Sequence, residues 1–166
     1  MFRLFIFLIK TENEELTMSE NSQGTALVAL PSWFKVAAIL ALVWNLIGVM
    51  VFVNQMMMTP EILAKLSVAE QSLYDNVPLW ATAAFAVAVF AGTLGSLALL
   101  MKKGICYHLF VASFIGVIVQ MFHSFFISNS YEVYGLGGTI MPIMVLIIAF
   151  ALVRFAAKGY NNHWFS

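Results

Sequence analysis

The chain has 166 residues, of which 62% are hydrophobic and only 10% are charged, and its formal net charge at pH 7 is zero. A soluble domain carries about 25% charged residues, so most of this chain needs lipid as its solvent. Zero net charge argues against nucleic acid as a partner. The single cysteine, Cys106, excludes an internal disulfide. We therefore expect an all-α integral membrane protein with the lipid bilayer as its main partner.

Residues 1–30 are expected to lie outside the folded domain as a disordered tail. The stretch MFRLFIFLIK has the look of a signal peptide, but its apolar run is short and no small-residue cleavage site follows. One interpretation is that Met18 is the true start and that residues 1–17 are a mis-assigned upstream extension. The alternative is that residues 1–17 form a short interfacial anchor.

Charged residues divide the rest of the chain into long uncharged segments. About 20 apolar residues suffice for a helix to cross the hydrocarbon core, and backbone groups in lipid must be satisfied within the segment. Residues 31–166 are therefore predicted to form a four-helix bundle that spans the membrane. The predicted helices lie at about residues 33–56, 78–101, 105–128 and 139–158.

The two predicted outer loops differ in character. In the first, Thr59-Pro60-Glu61 is a helix start and Ser67 with Glu70 forms a capping box, so we expect two short helices that lie on the outer membrane surface or over the mouth of the bundle. The second, Tyr134-Gly135-Leu136-Gly137-Gly138, is typical of a tight turn. Pro142 is expected in the first turn of the fourth helix, where its missing N–H matters little.

The distribution of charge predicts the orientation. Cations lie at one end of the predicted bundle, at Lys35, Lys102, Lys103, Arg154 and Lys158. The first outer loop holds three acids and one cation, and the second holds only Glu132. Because cytoplasmic loops collect Lys and Arg, both termini are expected to be cytoplasmic.

Small residues recur every four positions along the second helix, at Ala84, Ala88, Gly92 and Ser96. Such a stripe forms a groove that admits a neighbouring backbone. The first helix offers a matching face around Asn45, and the third offers one around Gly116. We predict that Ala84, Ala88, Gly92 and Gly116 pack helices together, and the alternative is that these faces line a solute pathway. The fourth helix is bulky nearly all round and is expected to be peripheral, facing lipid or a second protomer.

Two amides lie at similar depths on their small-residue faces, since Asn45 and Gln120 are about 18 and 22 Å from the inner ends of their helices. We predict that Gln120 pairs with Asn45, or with Thr93 or Ser96 of the second helix. The alternative is that the amides line a pocket for a neutral polyhydroxyl solute. The candidate substrate-binding residues are Asn45, Gln120, His123, Thr93 and Ser96.

Several functions are excluded by what the helices lack. No helix centre holds an Asp or Glu, the usual residues of a proton-coupled pump. His108 and His123 are about 22 Å apart along their helix, too far to share a metal. No catalytic triad or phosphate-binding pattern is present. We therefore expect no enzyme activity, no metal and no cofactor.

Three stretches carry a resemblance: PSWFKVAAILALVWNLIGVMVF, EQSLYDNVPLWATAAFAVAVFAGTLGSLALL and GVIVQMFHSFFISNSYEVYGLGGTIMPIMVLIIA. Through Trp44-Asn45, Gln120-Met121 and Met141-Pro142-Ile143-Met144, the chain resembles a family of small four-helix bacterial membrane proteins labelled sugar transporters. The resemblance implies a place in the bacterial inner membrane and a small neutral polar solute such as a sugar, but it transfers no residue roles.

Two functional hypotheses follow. The first is an oligomeric transporter of a small neutral polar solute. A single four-helix protomer is small for alternating access, so this hypothesis implies a homo-oligomer. The second is a non-catalytic accessory or scaffold protein, which implies a partner membrane protein that contacts the capped outer loop.

Overall fold

The computed structural model describes residues 33–75, 77–128 and 130–165. The predictions for residues 1–30, including the start at Met18 and the alternative anchor, lie outside these residues. Within the described ranges the chain forms helices and no strands, which confirms the all-α class. In chain order, the helices are α1 (Trp33–Met56), α2 (Pro60–Leu63), α3 (Val68–Asp75), α4 (Leu79–Leu100), α5 (Cys106–Phe122) and α6 (Ser130–Asn161), and a π-helical segment, His123–Ile127, extends α5.

Four of the helical segments are long and apolar enough to cross a membrane: Trp33–Met56, Leu79–Leu100, Cys106–Ile127 and Thr139–Asn161. Their mean hydropathies lie between 2.0 and 2.6. Their ends fall where charged or turn-forming residues interrupt the apolar sequence. Of the four apolar spans, the last differs most from its predicted bounds, since it continues past Lys158 to Asn161. The helix that contains this span, α6, also begins earlier than predicted, at Ser130.

Helix α4 occupies the centre of the arrangement. It packs along α1 on one side and along α5 on the other, and α5 packs along α6. The small-residue faces of α1, α4 and α5 converge at Gly92, which lies against Asn45 of α1 and Ser113 of α5. The lack of a side chain at Gly92 is therefore what lets three helices meet at one level.

One end of the bundle, which we call the closed end, is densely packed. Here α1 begins, α4 ends, α5 begins and α6 ends, so all four long helices contribute to one buried cluster. The cluster consists of Phe34, Ala38, Ala98, Leu99, Cys106, Phe110 and Ala156. Phe34 is 1% exposed, so its ring lies in the interior of this cluster.

The C-terminus completes the closed end. The N–H of Trp164 donates to Gly159 O at 2.9 Å and that of His163 donates to Tyr160 O at 3.2 Å, while His163 takes the left-handed φ of 52°. This is a Schellman motif, which reverses the chain after a helix. The reversal brings Trp164 edge-on to the Phe34 ring, with centroids 6.0 Å apart. Trp164 therefore packs against the cluster at the closed end.

The loop after α1 is ordered by the two predicted caps, and both are confirmed. Thr59 Oγ1 accepts from Ile62 N at 3.4 Å. Glu70 N donates to Ser67 Oγ at 3.3 Å, and Ser67 N donates to Glu70 Oε2 at 3.0 Å. The second of the two short helices, α3, lies against α6, so the loop contacts the bundle at the end opposite the closed end.

The predicted tight turn before the fourth helix is wrong. The backbone from Ser130 onward is helical apart from one break at Gly135, where φ is 58° and ψ is −153°. Only glycine adopts this conformation readily, so one residue redirects the helix and no loop is needed. As a consequence, Pro142 lies inside α6 and not in its first turn.

Candidate functional site

A cavity of about 320 Å³ lies between the four long helices, beyond the closed end. Helices α4 and α5 form its floor through Ala88, Val89, Ser113 and Val117. Helix α1 contributes one wall and α6 the other. The wall residues include Trp44, Asn45, Ile47, Gly48 and Val51 of α1, and Met141, Pro142, Val145, Ile148, Ala149 and Leu152 of α6.

The cavity is partly open on the side between α1 and α6. Ile47, Val51 and Met141 line it, yet they are 49%, 52% and 56% exposed. At the closed end the same two helices are joined by rings, with Phe34 and Phe155 centroids 5.6 Å apart. The helices therefore meet at one end and leave a lateral opening farther along.

Asn45 is held by two hydrogen bonds. Its Nδ2 donates to Ala41 O at 2.8 Å and to Ser96 Oγ of α4 at 3.2 Å. Ser96 is fully buried and its hydroxyl donates to Gly92 O at 2.9 Å. Asn45 and Ser96 thus form an interhelical pair between α1 and α4, a contact worth about 0.6–2 kcal/mol in a membrane.

Gln120 does not pair with Asn45, contrary to the sequence prediction, nor with Thr93 or Ser96. Its Oε1 is buried and accepts no hydrogen bond from any described residue. Gln120 and Asn45 line the same cavity, but the face of Asn45 is turned toward α4 and its amide hydrogens are already used. Gln120 Oε1 is therefore a buried acceptor that lacks a donor within the described part of the chain.

The remaining polar groups at the cavity are few. Ser113 Oγ donates to Ala88 O at 2.6 Å across the α4–α5 contact. Ser124 and the Trp44 indole also line the cavity, and none of the described lining residues carries a charge. All other lining side chains are apolar. The cavity is therefore suited chemically to a neutral molecule with little polar surface.

The other three candidate substrate residues do not line this cavity. Ser96 lies behind Asn45, and Thr93 Oγ1 donates to Val89 O of its own helix at 2.8 Å. His123 is 5% exposed and begins the π-helical segment, where its ring meets that of Trp80 edge-on at 5.4 Å. Of the five candidate substrate-binding residues, only Asn45 and Gln120 line the cavity together.

The four residues predicted to pack helices all lie at the α4–α5 contact. A Cβ on Gly116 would come within 2.7 Å of Ala84 O and 2.8 Å of Ala88 N. The α5 backbone therefore lies directly on the α4 backbone at this point. Gly92 lies one turn farther along α4, where it is overlaid by Asn45.

The wall formed by α6 was missed by the sequence analysis, which placed the fourth helix at the periphery. Pro142, Val145 and Ala149 are spaced three and four residues apart on that helix, and they face the cavity. This stripe of smaller residues among large Ile and Met side chains is the signal that could have identified the wall. Most of α6 is nonetheless outside the core, with only 6% of its apolar span buried.

Comparisons with known proteins identify no relative of this chain, so the functional interpretation depends on the geometry of the cavity. No protein-family model matches the chain, and no curated protein or solved structure is similar to it. Among the described residues no group of three or more His, Cys, Asp or Glu side chains is placed to hold a metal ion.

Proposed function

We propose that this chain is a multi-pass membrane protein that binds a small neutral molecule in the cavity between its four long helices. The observation that carries the proposal is the cavity of about 320 Å³ between the four long helices, whose described lining residues carry no charge. A mostly apolar space of this size is typical of a site for a small molecule.

Insertion into a membrane is supported by the exposed surface of the helices. Only 11% of the apolar window of α1 and 6% of that of α6 are buried. Large apolar side chains such as Leu40, Met50 and Ile147 are more than half exposed. A contiguous apolar surface of this kind is stable in lipid and not in water, and the helices satisfy their own backbone groups.

The orientation is supported by the position of the cations. The closed end carries Lys35, Lys102, Lys103, Arg154 and Lys158 on the segments that meet there. Glu61, Glu70 and Glu132 lie at the other end. We therefore place the closed end, with the C-terminus, in the cytoplasm of a bacterial cell, and the cavity nearer the external side of the inner membrane.

Transport of the bound molecule is the activity that the family resemblance implies. The uncharged lining supports a neutral solute, and the opening between α1 and α6 gives that solute a route into the cavity from the bilayer. A single protomer offers no second repeat to rock against the first. Transport by this chain therefore implies an assembly of several copies.

Access to the cavity can be tested with an introduced thiol. Ala149→Cys places a cysteine on the cavity wall, and Ala151→Cys places one on the exposed side of the same helix. The native Cys106 is 0% exposed and serves as the unreactive background. We expect N-ethylmaleimide to label both variants in detergent, and a bound neutral molecule to protect only A149C.

The probes are 1-nonanol, n-decane and glucose, which are neutral molecules of roughly similar size. Selective protection of A149C by at least one of them supports the proposed function. Equal labelling of A149C with and without all three would reject it. Uptake of any protecting solute that does not cross protein-free vesicles then tests transport.

A further inference from the structure

A stripe of hydrogen-bond donors runs along the C-terminal part of α6, at the closed end. Arg154, Lys158, Asn161 and Asn162 follow one another at intervals of four, three and one residues, so their side chains share one face of the helix. The N–H of Asn162 donates to Lys158 O at 3.0 Å, which continues the helical turn past Asn161. The four side chains border a shallow depression of about 570 Å³, which we call the basic depression, and Ala157 between them is too small to fill it.

The basic depression faces away from the rest of the bundle. Ala156 is 0% exposed, and Gly159 lies directly against the Phe165 ring, so both belong to the packed face of α6. Arg154 and Lys158 lie on the other side of the helix and are exposed. In a membrane, a helix face that points away from the bundle contacts lipid. The molecules that lie beside the basic depression are therefore phospholipids.

The level of the basic depression along the bundle is that of the lipid headgroups. Arg154 and Lys158 lie near the end of the apolar span Thr139–Asn161. Trp33 and Tyr160 lie at the same end of the bundle and are about half exposed. Exposed Trp and Tyr side chains collect where the hydrocarbon meets the headgroups. The phosphate groups of phospholipids occupy this level.

The cations of the basic depression are not balanced within the described part of the chain. No ion pair or side-chain hydrogen bond joins Arg154 or Lys158 to a described residue. The described glutamates, Glu61, Glu70 and Glu132, lie at the opposite end of the bundle. Guanidinium and ammonium groups donate charge-assisted hydrogen bonds to phosphate oxygens, and asparagine amides add neutral donors. This set of donors complements an anion with several acceptor oxygens.

We infer that the basic depression binds the phosphate group of an anionic phospholipid in the leaflet around the closed end. Ile147 and Phe150 lie seven and four residues before Arg154 on the same face and are more than half exposed, so they give the acyl chains an apolar surface. A lipid without net charge carries a cation beside its phosphate, which Arg154 and Lys158 repel. The inference goes beyond the proposed function, since it requires a membrane but neither the cavity nor its ligand.

The test measures thermal stabilisation of the full chain in dodecyl maltoside by three probes. Dioleoylphosphatidylglycerol and dioleoylphosphatidylcholine share the phosphate and the acyl chains and differ in net charge. Glycerophosphoglycerol is the headgroup of the first lipid without its chains. We expect phosphatidylglycerol to give half-maximal stabilisation at about one tenth of the mole fraction that phosphatidylcholine needs. Glycerophosphoglycerol should not stabilise the protein, because it lacks the chains that hold it beside α6.

Two double variants remove the same charge from the closed end. Arg154→Gln/Lys158→Gln acts within the basic depression, and Lys35→Gln/Lys103→Gln acts outside its lining. The first should raise the half-maximal mole fraction of phosphatidylglycerol about tenfold or more. The second should change it less than about twofold, since salt screens charges that do not contact the phosphate. Ala157→Leu keeps every cation but fills the depression, and should abolish the preference for phosphatidylglycerol.

Equal half-maximal mole fractions for the two phospholipids in the wild type would overturn the inference, and this comparison does not depend on the folding of any variant. Equal losses in the two double variants would show a general attraction of the closed end for anions and also overturn it. An unchanged preference in Ala157→Leu would mean that the cations act without a site. Stabilisation by glycerophosphoglycerol would identify a soluble phosphodiester as the ligand. Failure of the A149C protection experiment would reject the cavity ligand alone.

Discussion

The two halves of the bundle are built differently from the same kind of residue. At the closed end, side chains from all four long helices fill the space between them, and Phe34, Leu99 and Cys106 are almost completely buried. In the other half the same helices enclose a cavity of about 320 Å³. In or beyond that half, two of the long helices depart from regular α geometry, at the π-helical segment His123–Ile127 and at Gly135. Dense packing holds one end while the other retains room for a ligand.

The largest expected effect distinguishes two phenylalanines. Phe34 is 1% exposed at the closed end, whereas Phe85 lines the cavity and touches the Phe52 ring at 5.4 Å. Phe34→Ala should lower the free energy of unfolding by about 3 kcal/mol because it leaves a hole in a filled core. Phe85→Ala should lower it by about 1 kcal/mol, since the site is already open.

Thermal unfolding of both alanine variants in the same detergent provides the measurement. The detergent affects both variants equally, so its effect cancels in the difference between their free energies of unfolding. Equal losses for Phe34→Ala and Phe85→Ala would contradict the division of the bundle into a filled and an open half.

Two glycines test the packed α4–α5 contact against the cavity wall. A Cβ at Gly116 would lie 2.7 Å from Ala84 O, a backbone atom that cannot move alone. We expect Gly116→Ala to reduce stability by about 2 kcal/mol through overpacking. At Gly48 a Cβ meets only the Val89 side chain, at 3.2 Å, and the better helix propensity of alanine offsets the contact.

Gly48→Ala should therefore change the free energy of unfolding by less than about 0.5 kcal/mol. Melting temperatures of the two variants, each measured against the wild type, test whether Gly116→Ala destabilises the bundle more than Gly48→Ala does. A neutral Gly116→Ala would show that α5 can separate from α4 without loss, and that the close contact does not hold the bundle.

The two amides should respond in opposite directions to the same substitution. Asn45→Leu removes the bond to Ser96 and should destabilise the ligand-free bundle by about 1 kcal/mol. Gln120→Leu removes a buried acceptor that has no donor among the described residues and should stabilise the bundle by about 1 kcal/mol. Because the amides do not pair, the double variant should give the sum, near zero.

A double-mutant cycle on urea or thermal unfolding gives the coupling energy between Asn45 and Gln120. A coupling clearly larger than about 0.5 kcal/mol would restore the predicted amide pair. Destabilisation by Gln120→Leu alone would show that the Gln120 oxygen is satisfied in solution.

The features that sequence reasoning predicted correctly are local ones. Long apolar segments between charges give helices, because backbone groups in an apolar segment must bond within it. The caps at Thr59 and at Ser67 with Glu70 depend only on residues three positions apart. Each of these inferences needs the identity of neighbours along the chain and nothing about the partners of a helix.

The features that the sequence did not predict depend on how helices rotate about their own axes. Asn45 and Gln120 are at similar depths, but a rotation of α1 turns Asn45 toward Ser96 of α4. Likewise, the stripe of Pro142, Val145 and Ala149 becomes a cavity wall only once α6 is docked on α5. The break at Gly135 was interpreted as a turn because glycines permit several conformations, and sequence does not select among them.

The smallest expected effect concerns the loop between α1 and α4, at the end of the bundle opposite the closed end. Hydrogen bonds from the Ser67 hydroxyl and the Ser67 backbone N–H lower the pKa of Glu70 from its ordinary value of 4.5. A carboxylate with a lowered pKa stabilises the folded loop above the unfolded pKa, and this contribution is lost as pH falls through the folded pKa. Helix α3 should therefore fray below about pH 4.5 and loosen its contact with α6.

The ¹³Cα shift of Ala69, within α3, reports this fraying between pH 6 and pH 3. Glu70→Gln keeps a side-chain acceptor for the Ser67 N–H but does not titrate, so its Ala69 shift should stay constant over the same range. Since the closed end contains no part of this loop, its amide signals should be unaffected in both proteins. Fraying that is equal in the wild type and in E70Q would mean that another group controls the acid response of α3.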